Sequence, residues 1–231
     1  MSAMRTLFLI SSLLVISACS GGSEDPMRAP LELVSDLREE FRNRRTASKN
    51  EQPTLEMTRA LLDTFTVSVL EVRLEGRGRK AILLPAALRT DQSPGQVTVW
   101  KTFEEAHVIL RDGVLYATRG LGRDLASSDT PAALRAVNTR AAAVGARSMR
   151  VRNDVNGTDL LRFQCEIEVV SDTTLEIVER RFAVRHLQET CRNSEGFFVN
   201  DYWVDSSSAV IQSRQWAGPH LGFMSIQLLK K

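Results

Sequence analysis

The sequence predicts a mainly β protein: antiparallel sheets, sandwich- or barrel-like, in one body or two lobes, behind a helical N-terminal segment. Three observations carry this. From Leu161 to Val169 apolar and polar residues alternate strictly, with Leu161, Phe163, Cys165, Ile167 and Val169 against Arg162, Gln164, Glu166 and Glu168, the period of a half-buried strand. Asp112-Gly113 lies between the apolar runs HVILR and VLYAT, the favoured two-residue hairpin signal. Near Phe65 the hydrophobic period shifts from helical to twofold.

At the N-terminus, Arg5 precedes an apolar run from Leu7 to Ile16 and small residues before Cys19. The run is too short to span a bilayer, and its order is that of an export signal. Ile16-Ser17-Ala18-Cys19 resembles a bacterial lipobox, which implies cleavage of residues 1–18 and acylation of the Cys19 thiol, with an N-acyl chain on the new terminus. Several fatty tails, at about 0.8 kcal/mol per buried methylene, hold far better than one. Ser20 in place of aspartate resembles the sorting signal for the outer membrane. Residues 19–53 are then the lipidated cysteine, a tether and a helix. Leu31, Val34, Leu37 and Phe41 supply the helical stripe, and residues 42–53 show no periodicity and read as linker.

The β-rich domain is expected over 54–231, with candidate lobes 54–128 and 129–231. Thr54 is placed to cap a short helix through Leu62. Phe65 to Leu74 is a strand that is bulged or buried on both sides, since Val67 and Val69 oppose Leu70, Val72 and Leu74. GRGR at 76–79 is a turn, and strands follow at 81–84 and from Gln96. Thr130-Pro131 opens an alanine-rich helical turn. SDTT at 171–174 is read as the turn leading to a partner strand from Leu175 to about Leu187, with Cys191 just past its end. Phe197 to Val204 and Ala209 to Trp216 form a hairpin about a DSSS turn. Gly218-Pro219 precedes a last strand with Met224, Ile226 and Leu228 inward.

Lysine plus arginine is 30 against 28 acids, less basic than a nucleic-acid binder. Twenty-five of the basic residues are arginine. Guanidinium forks suit an acidic glycan or another polyanion, although arginine-rich codon usage produces the same skew. With Cys19 acylated, Cys165 and Cys191 remain, an even pair in a chain bound for an oxidising compartment. A disulfide is expected between them.

Thr58-Arg59, then Trp100, Asp112, Gly113, Thr118, Gly120, Leu121, Asp124 and Leu125, then the cysteines with Glu189, and a closing block of Asn200, Tyr202, Trp203, Val204, Asp205, Ser213, Arg214, Gln215, Trp216, Gly218, Pro219 and Gly222 together resemble the YjbF/GfcB-type lipoproteins of capsule and exopolysaccharide operons. The resemblance covers nearly all of the mature chain. Arg119 and the SSSA turn at 206–209 depart from the pattern, where a small or apolar residue and a glycine are usual. The resemblance implies a periplasm-facing outer-membrane lipoprotein that works with other envelope or polysaccharide-export proteins and carries no enzymatic activity.

No residue is put forward as catalytic, and no cofactor or metal is expected. His107, His186 and His220 stand apart, without HxH, HExxH or GxSxG spacing. Tyr202, Trp203, Arg214 and Trp216 are the residue types that contact saccharides or a protein partner; the other reading packs both tryptophans in the core and pairs Arg214 with a nearby acid such as Asp205. A periplasmic polysaccharide-modifying enzyme, hydrolase or lyase, stays open as the alternative, because any two acids can meet in a fold.

Overall fold

A computed structural model describes residues 57–231. The export signal, Cys19, the tether, the helix at 31–41 and the cap at Thr54 lie outside the described residues. Helix α1 (Arg59–Thr64) is followed by strand β1 (Val69–Leu74), a 3-10 turn (Glu75–Arg77), β2 (Arg79–Arg89), β3 (Val97–Thr102), β4 (His107–Arg111), β5 (Val114–Arg119) and β6 (Leu125–Asp129). Helix α2 (Pro131–Thr139) leads into β7 (Ala143–Arg152), β8 (Thr158–Ile177), β9 (Arg180–Arg192), β10 (Phe197–Asp205), β11 (Val210–Trp216) and β12 (Phe223–Lys230).

All twelve strands join one antiparallel sheet in the order β5-β4-β3-β2-β1-β12-β11-β10-β9-β8-β7-β6. Strands from both sides of residue 128 belong to it. Of the expected β arrangements the chain adopts the barrel-like one, nearly closed. The seam between β5 and β6 is bridged by side chains: Leu125 N donates to Thr118 Oγ1 at 3.0 Å, and the Arg119 guanidinium donates to the carbonyls of Leu125 and Ala126. Arg119, out of pattern in the sequence, thus holds the two edge strands together.

The seam loop is built by Asp124. Its carboxylate accepts from Thr118 Oγ1 at 2.7 Å and from the amides of Gly120 and Leu121. Gly120 has φ +80°, a conformation glycine adopts without the penalty of a Cβ.

Alternation along the strands fills the interior. Leu70, Val72 and Leu74 of β1 face Met224 and Ile226 of β12, and the same core takes in Trp100, Leu115, Phe163 and Phe198. Each such buried side chain contributes about 1.5–3 kcal/mol. A second cluster packs Ala132, Ala133, Ala136 and Val137 of α2 against Ile167, Leu187, Tyr202 and Val204, so α2 covers the same inward face. Gly145 of β7 permits the approach, because a Cβ there would lie 3.1 Å from that of Ala132. A third cluster, with Met57, Leu62, Phe65, Val69, Ile177 and Val184, seats α1. Val69 is buried beside a bulge at Val69/Leu70, so the expected bulge and the expected two-sided burial are both present.

Several sequence boundaries move. Thr58 caps α1, its hydroxyl accepting from Leu61 N, and α1 ends at Thr64 rather than Leu62. SDTT is not a turn: β8 runs through it with a register shift between Val169 and Ser171, and the chain reverses at Val178-Glu179. Both turn residues have positive φ, 45° and 65°. Arg59 holds that reversal from outside, donating to the carbonyls of Ile177 and Val178. Cys191 lies within β9 rather than beyond it. No helix among the described residues is long and apolar enough to cross a membrane.

Candidate functional site

Two sets of polar residues invite a functional reading, one inside the barrel and one on its outer face. Inside, Glu189 of β9 is the hub. Arg147 of β7 donates to its carboxylate through Nε at 3.2 Å and Nη2 at 2.8 Å, Tyr202 Oη donates at 2.9 Å and Asn200 Nδ2 at 2.7 Å. None of the four is more than 1 % exposed. Burial, and then the nearby Glu189 charge, push the Tyr202 hydroxyl far above its ordinary pKa, so it stays protonated and donates. Burial opposes charge on Arg147, but the Glu189 carboxylate outweighs it and raises the pKa further. The layer is a buried ion pair whose carboxylate is engaged by three side chains, while Arg147 Nη1 is buried without a hydrogen bond. The condition under which such a pair is tolerated is thus met on the acceptor side only.

The network reaches outward through backbone. Asn200 Oδ1 accepts from Trp216 N at 2.7 Å. Gln215 accepts from Leu115 N at 2.8 Å and donates to Gly113 O at 2.9 Å, tying the β4–β5 hairpin to β11. The hairpin turns at Asp112-Gly113 as expected, with φ of 44° and 82°. Cys165 and Cys191 sit opposite each other on β8 and β9, joined by a disulfide. Their sulfurs and the Glu189 carboxylate lie within 4.8 Å of one another, but sulfurs in a disulfide offer no thiolate to a metal.

Of the four proposed contact residues, the structure puts Tyr202 in the interior network and leaves the other three half-buried. Trp203 stacks on His186 with centroids 4.5 Å apart, and His186 Nε2 lies 2.8 Å from Asp201 Oδ1. Trp216 stacks on Phe198 and meets Phe163 edge-on. Arg214 pairs with Glu75, Nη2 to Oε2 at 2.9 Å, and lies over the Phe223 ring. Asp205, the acid suggested for Arg214, instead accepts from the amides of Ser207 and Ala209 and pairs with Lys231. Burial alone would raise the Glu75 pKa; hydrogen bonds from Arg214 and Ser225 outweigh it and hold the carboxyl below its usual value.

Arg147 escaped the sequence reading, and Glu189 entered it only as part of the family pattern, yet a signal for their pairing existed. Each occupies the inward phase of its strand, beside Met149 and Val151 on β7 and between Leu187 and Cys191 on β9. A charge at a buried phase on two strands of one sheet calls for its opposite.

These side chains hold the fold together. Thr58 and Arg59 secure α1, Thr118 and Asp124 build the seam, Asp112 and Gly113 form a hairpin, and Asn200, Tyr202 and Gln215 lock the interior. A general acid or base must come within hydrogen-bonding reach of its substrate, and the interior carboxylate is closed to solvent.

The fold is similar to the crystal structure of the hypothetical lipoprotein YmcC from Escherichia coli K12, with a TM-score of 0.67 and 18% identity over 89% of this chain and 97% of that one. A putative exported protein with YmcC-like fold from Bacteroides fragilis aligns over 71% of this chain and 93% of that one, with a TM-score of 0.32 and 10% identity. No curated relative matches. The family described as "Group 4 capsule polysaccharide lipoprotein gfcB, YjbF" matches residues 34–229. With nearly the whole β body and its signature residues inside that match, the chain belongs to the group 4 capsule polysaccharide lipoprotein family.

Proposed function

We propose that this protein is an outer-membrane lipoprotein, anchored through Cys19 and facing the periplasm, that assists capsule or exopolysaccharide assembly or secretion as a non-catalytic binding or scaffold protein. The family supports the polysaccharide pathway and the lipid anchor. One observation carries the non-catalytic part: the polar residues of the closing signature are hydrogen-bonded to one another and to backbone, with Asn200, Tyr202, Ser213 and Gln215 all buried. Its work then lies in what its surface touches, with the tether raising its effective concentration beside an exporter.

Deleting the gene and measuring secreted polysaccharide tests the role, with loss of surface polymer expected and restoration by the intact gene. Complementation with Cys19→Ala is expected to fail, and labelled palmitate should enter the intact protein but not this variant. Unchanged polymer in the deletion strain would sink the role. Turnover of isolated polysaccharide by the purified protein would replace the scaffold reading with the enzymatic one.

A further inference from the structure

Most arginines of the barrel have assigned partners. Arg111 holds Asp91, Arg185 holds Asp172, Arg214 holds Glu75, and Arg59 and Arg119 bind backbone carbonyls. Arg150, Arg152, Arg162 and Arg192 are exposed and have no side-chain hydrogen bond or ion pair among the described residues.

Register puts these four together on the outward face. Met149, Cys165, Cys191 and Phe198 point inward, so their neighbours Arg150, Gln164, Arg192 and Phe197 point outward. Ser148 pairs with Arg162, placing Arg150 diagonal to it across β7 and β8. Gln164 pairs with Arg192, placing Arg162 diagonal to Arg192 across β8 and β9. Arg192 pairs directly with Phe197 of β10, a ring that is 70% exposed. Arg152 extends the row along β7. The result is an oblique track of guanidinium groups over three adjacent strands, ending on an open aromatic face. Strands about 4.8 Å apart make the track roughly 15 Å long. Asp129 of β6, Glu166 of β8 and Glu195 in the turn between Arg192 and Phe197 are exposed acids beside it.

We infer that this track binds a carboxylate-bearing polysaccharide chain. The inference rests on the polysaccharide role proposed above and deepens it by naming a site. Guanidinium forks hold carboxylates in two-point geometry, and the Phe197 face offers an apolar plane to a sugar ring. A narrow line of charge ending on an aromatic suits a linear polymer. A lipid surface is the poorer occupant, because the track lies remote from the end of the barrel where the described residues begin. Arg59 ties α1 to the Ile177–Val178 turn, and Arg162 stands 15 residues back along β8, roughly 50 Å of strand.

The test uses the full chain purified in neutral detergent, titrated with polygalacturonate oligomers, with neutral dextran and with dihexanoylphosphatidylglycerol. Polygalacturonate is expected to bind with salt-sensitive affinity and dextran not to bind. Arg162→Glu with Arg192→Glu should weaken polygalacturonate by about tenfold or more, since each charge-assisted pair carries a large share of the affinity. The double lysine variant, which keeps charge and loses the fork, should show a smaller loss. Phe197→Ala should weaken binding with an unchanged salt dependence. Thermal melts confirm that each variant is folded, and the lysine variant decides the matter if charge reversal impairs folding. Wild-type affinity in both arginine variants, equal affinity for dextran, or track-dependent binding of the phospholipid in place of polygalacturonate would overturn the site. These results differ from failure of the role, in which the deletion strain secretes normally whatever the purified protein binds.

Discussion

Replacing Glu189 by glutamine keeps the shape of the side chain and removes the charge on which Arg147, Tyr202 and Asn200 converge. The Arg147 guanidinium, 1 % exposed, is then buried without a counter-charge, and a loss of about 3–5 kcal/mol is expected by urea unfolding. Arg147→Met with Glu189→Leu removes both charges and should cost far less than the single change. Equal losses in the single and double variants would refute the pairing.

A second residue-scale prediction concerns acid. The Arg111 hydrogen bond, aided by the Ser93 amide, lowers Asp91 to a pKa of about 2, below its unfolded value of about 3.9. A depressed carboxylate stabilises the fold above the unfolded pKa, and the contribution fades as pH falls from about 4 through about 2. Asp91→Asn should lower the neutral-pH melting temperature slightly and flatten its pH dependence in that window; a profile parallel to the unmodified protein would exclude the effect. At this scale the sequence shows residue types but not partners. Arg214 and Glu75 are 139 positions apart, and only the order β1-β12-β11 brings the turn that follows β1 near β11.

Element by element, legibility follows how local the cause is. The Asp112-Gly113 hairpin was readable because its two residues alone satisfy the positive-φ turn. The reversal at Val178-Glu179 was not, because neither residue favours that conformation and Arg59, far away in sequence, holds it. Two substitutions should therefore have opposite signs. Gly113→Ala adds a Cβ at φ +82°, 2.5 Å from a Val210 methyl group, and should cost about 2–4 kcal/mol. Glu179→Gly relieves φ +65° at an exposed position and should stabilise by about 1 kcal/mol. Thermal melts of the two variants shifting in the same direction would contradict this account. The strict alternation at 161–169 was legible for the same reason as the hairpin and holds through Ile167. Val169, expected inward, is 43% exposed beside the register shift, and the far half of β8 has nearly all its residues exposed and leaves no period to read.

For the whole molecule, the twelve strands and their antiparallel order make the body, and a single cross-link spans its longest hairpin. Cys165 and Cys191 are separated by 26 positions, so closing that loop stabilises the fold by roughly 3–4 kcal/mol in the chain-entropy account. Reduction should lower the melting temperature by roughly 10 °C, and Cys165→Ser with Cys191→Ser should melt like the reduced protein with no further response to dithiothreitol. Barrel closure could not be read from the strands, because the β5–β6 seam depends on side chains, including the out-of-pattern Arg119. The mainly β class was readable, since it needs only the period.

That seam gives the barrel a mechanical grain. Eleven of its junctions are backbone ladders, each resisting shear with a row of amide bonds, while the twelfth is a clasp of a threonine hydroxyl and one guanidinium. A pulling force across the wall would part the clasp before any ladder. The cylinder would open first along that line, restrained by the Gln215 bridge from β11 to the β4–β5 hairpin.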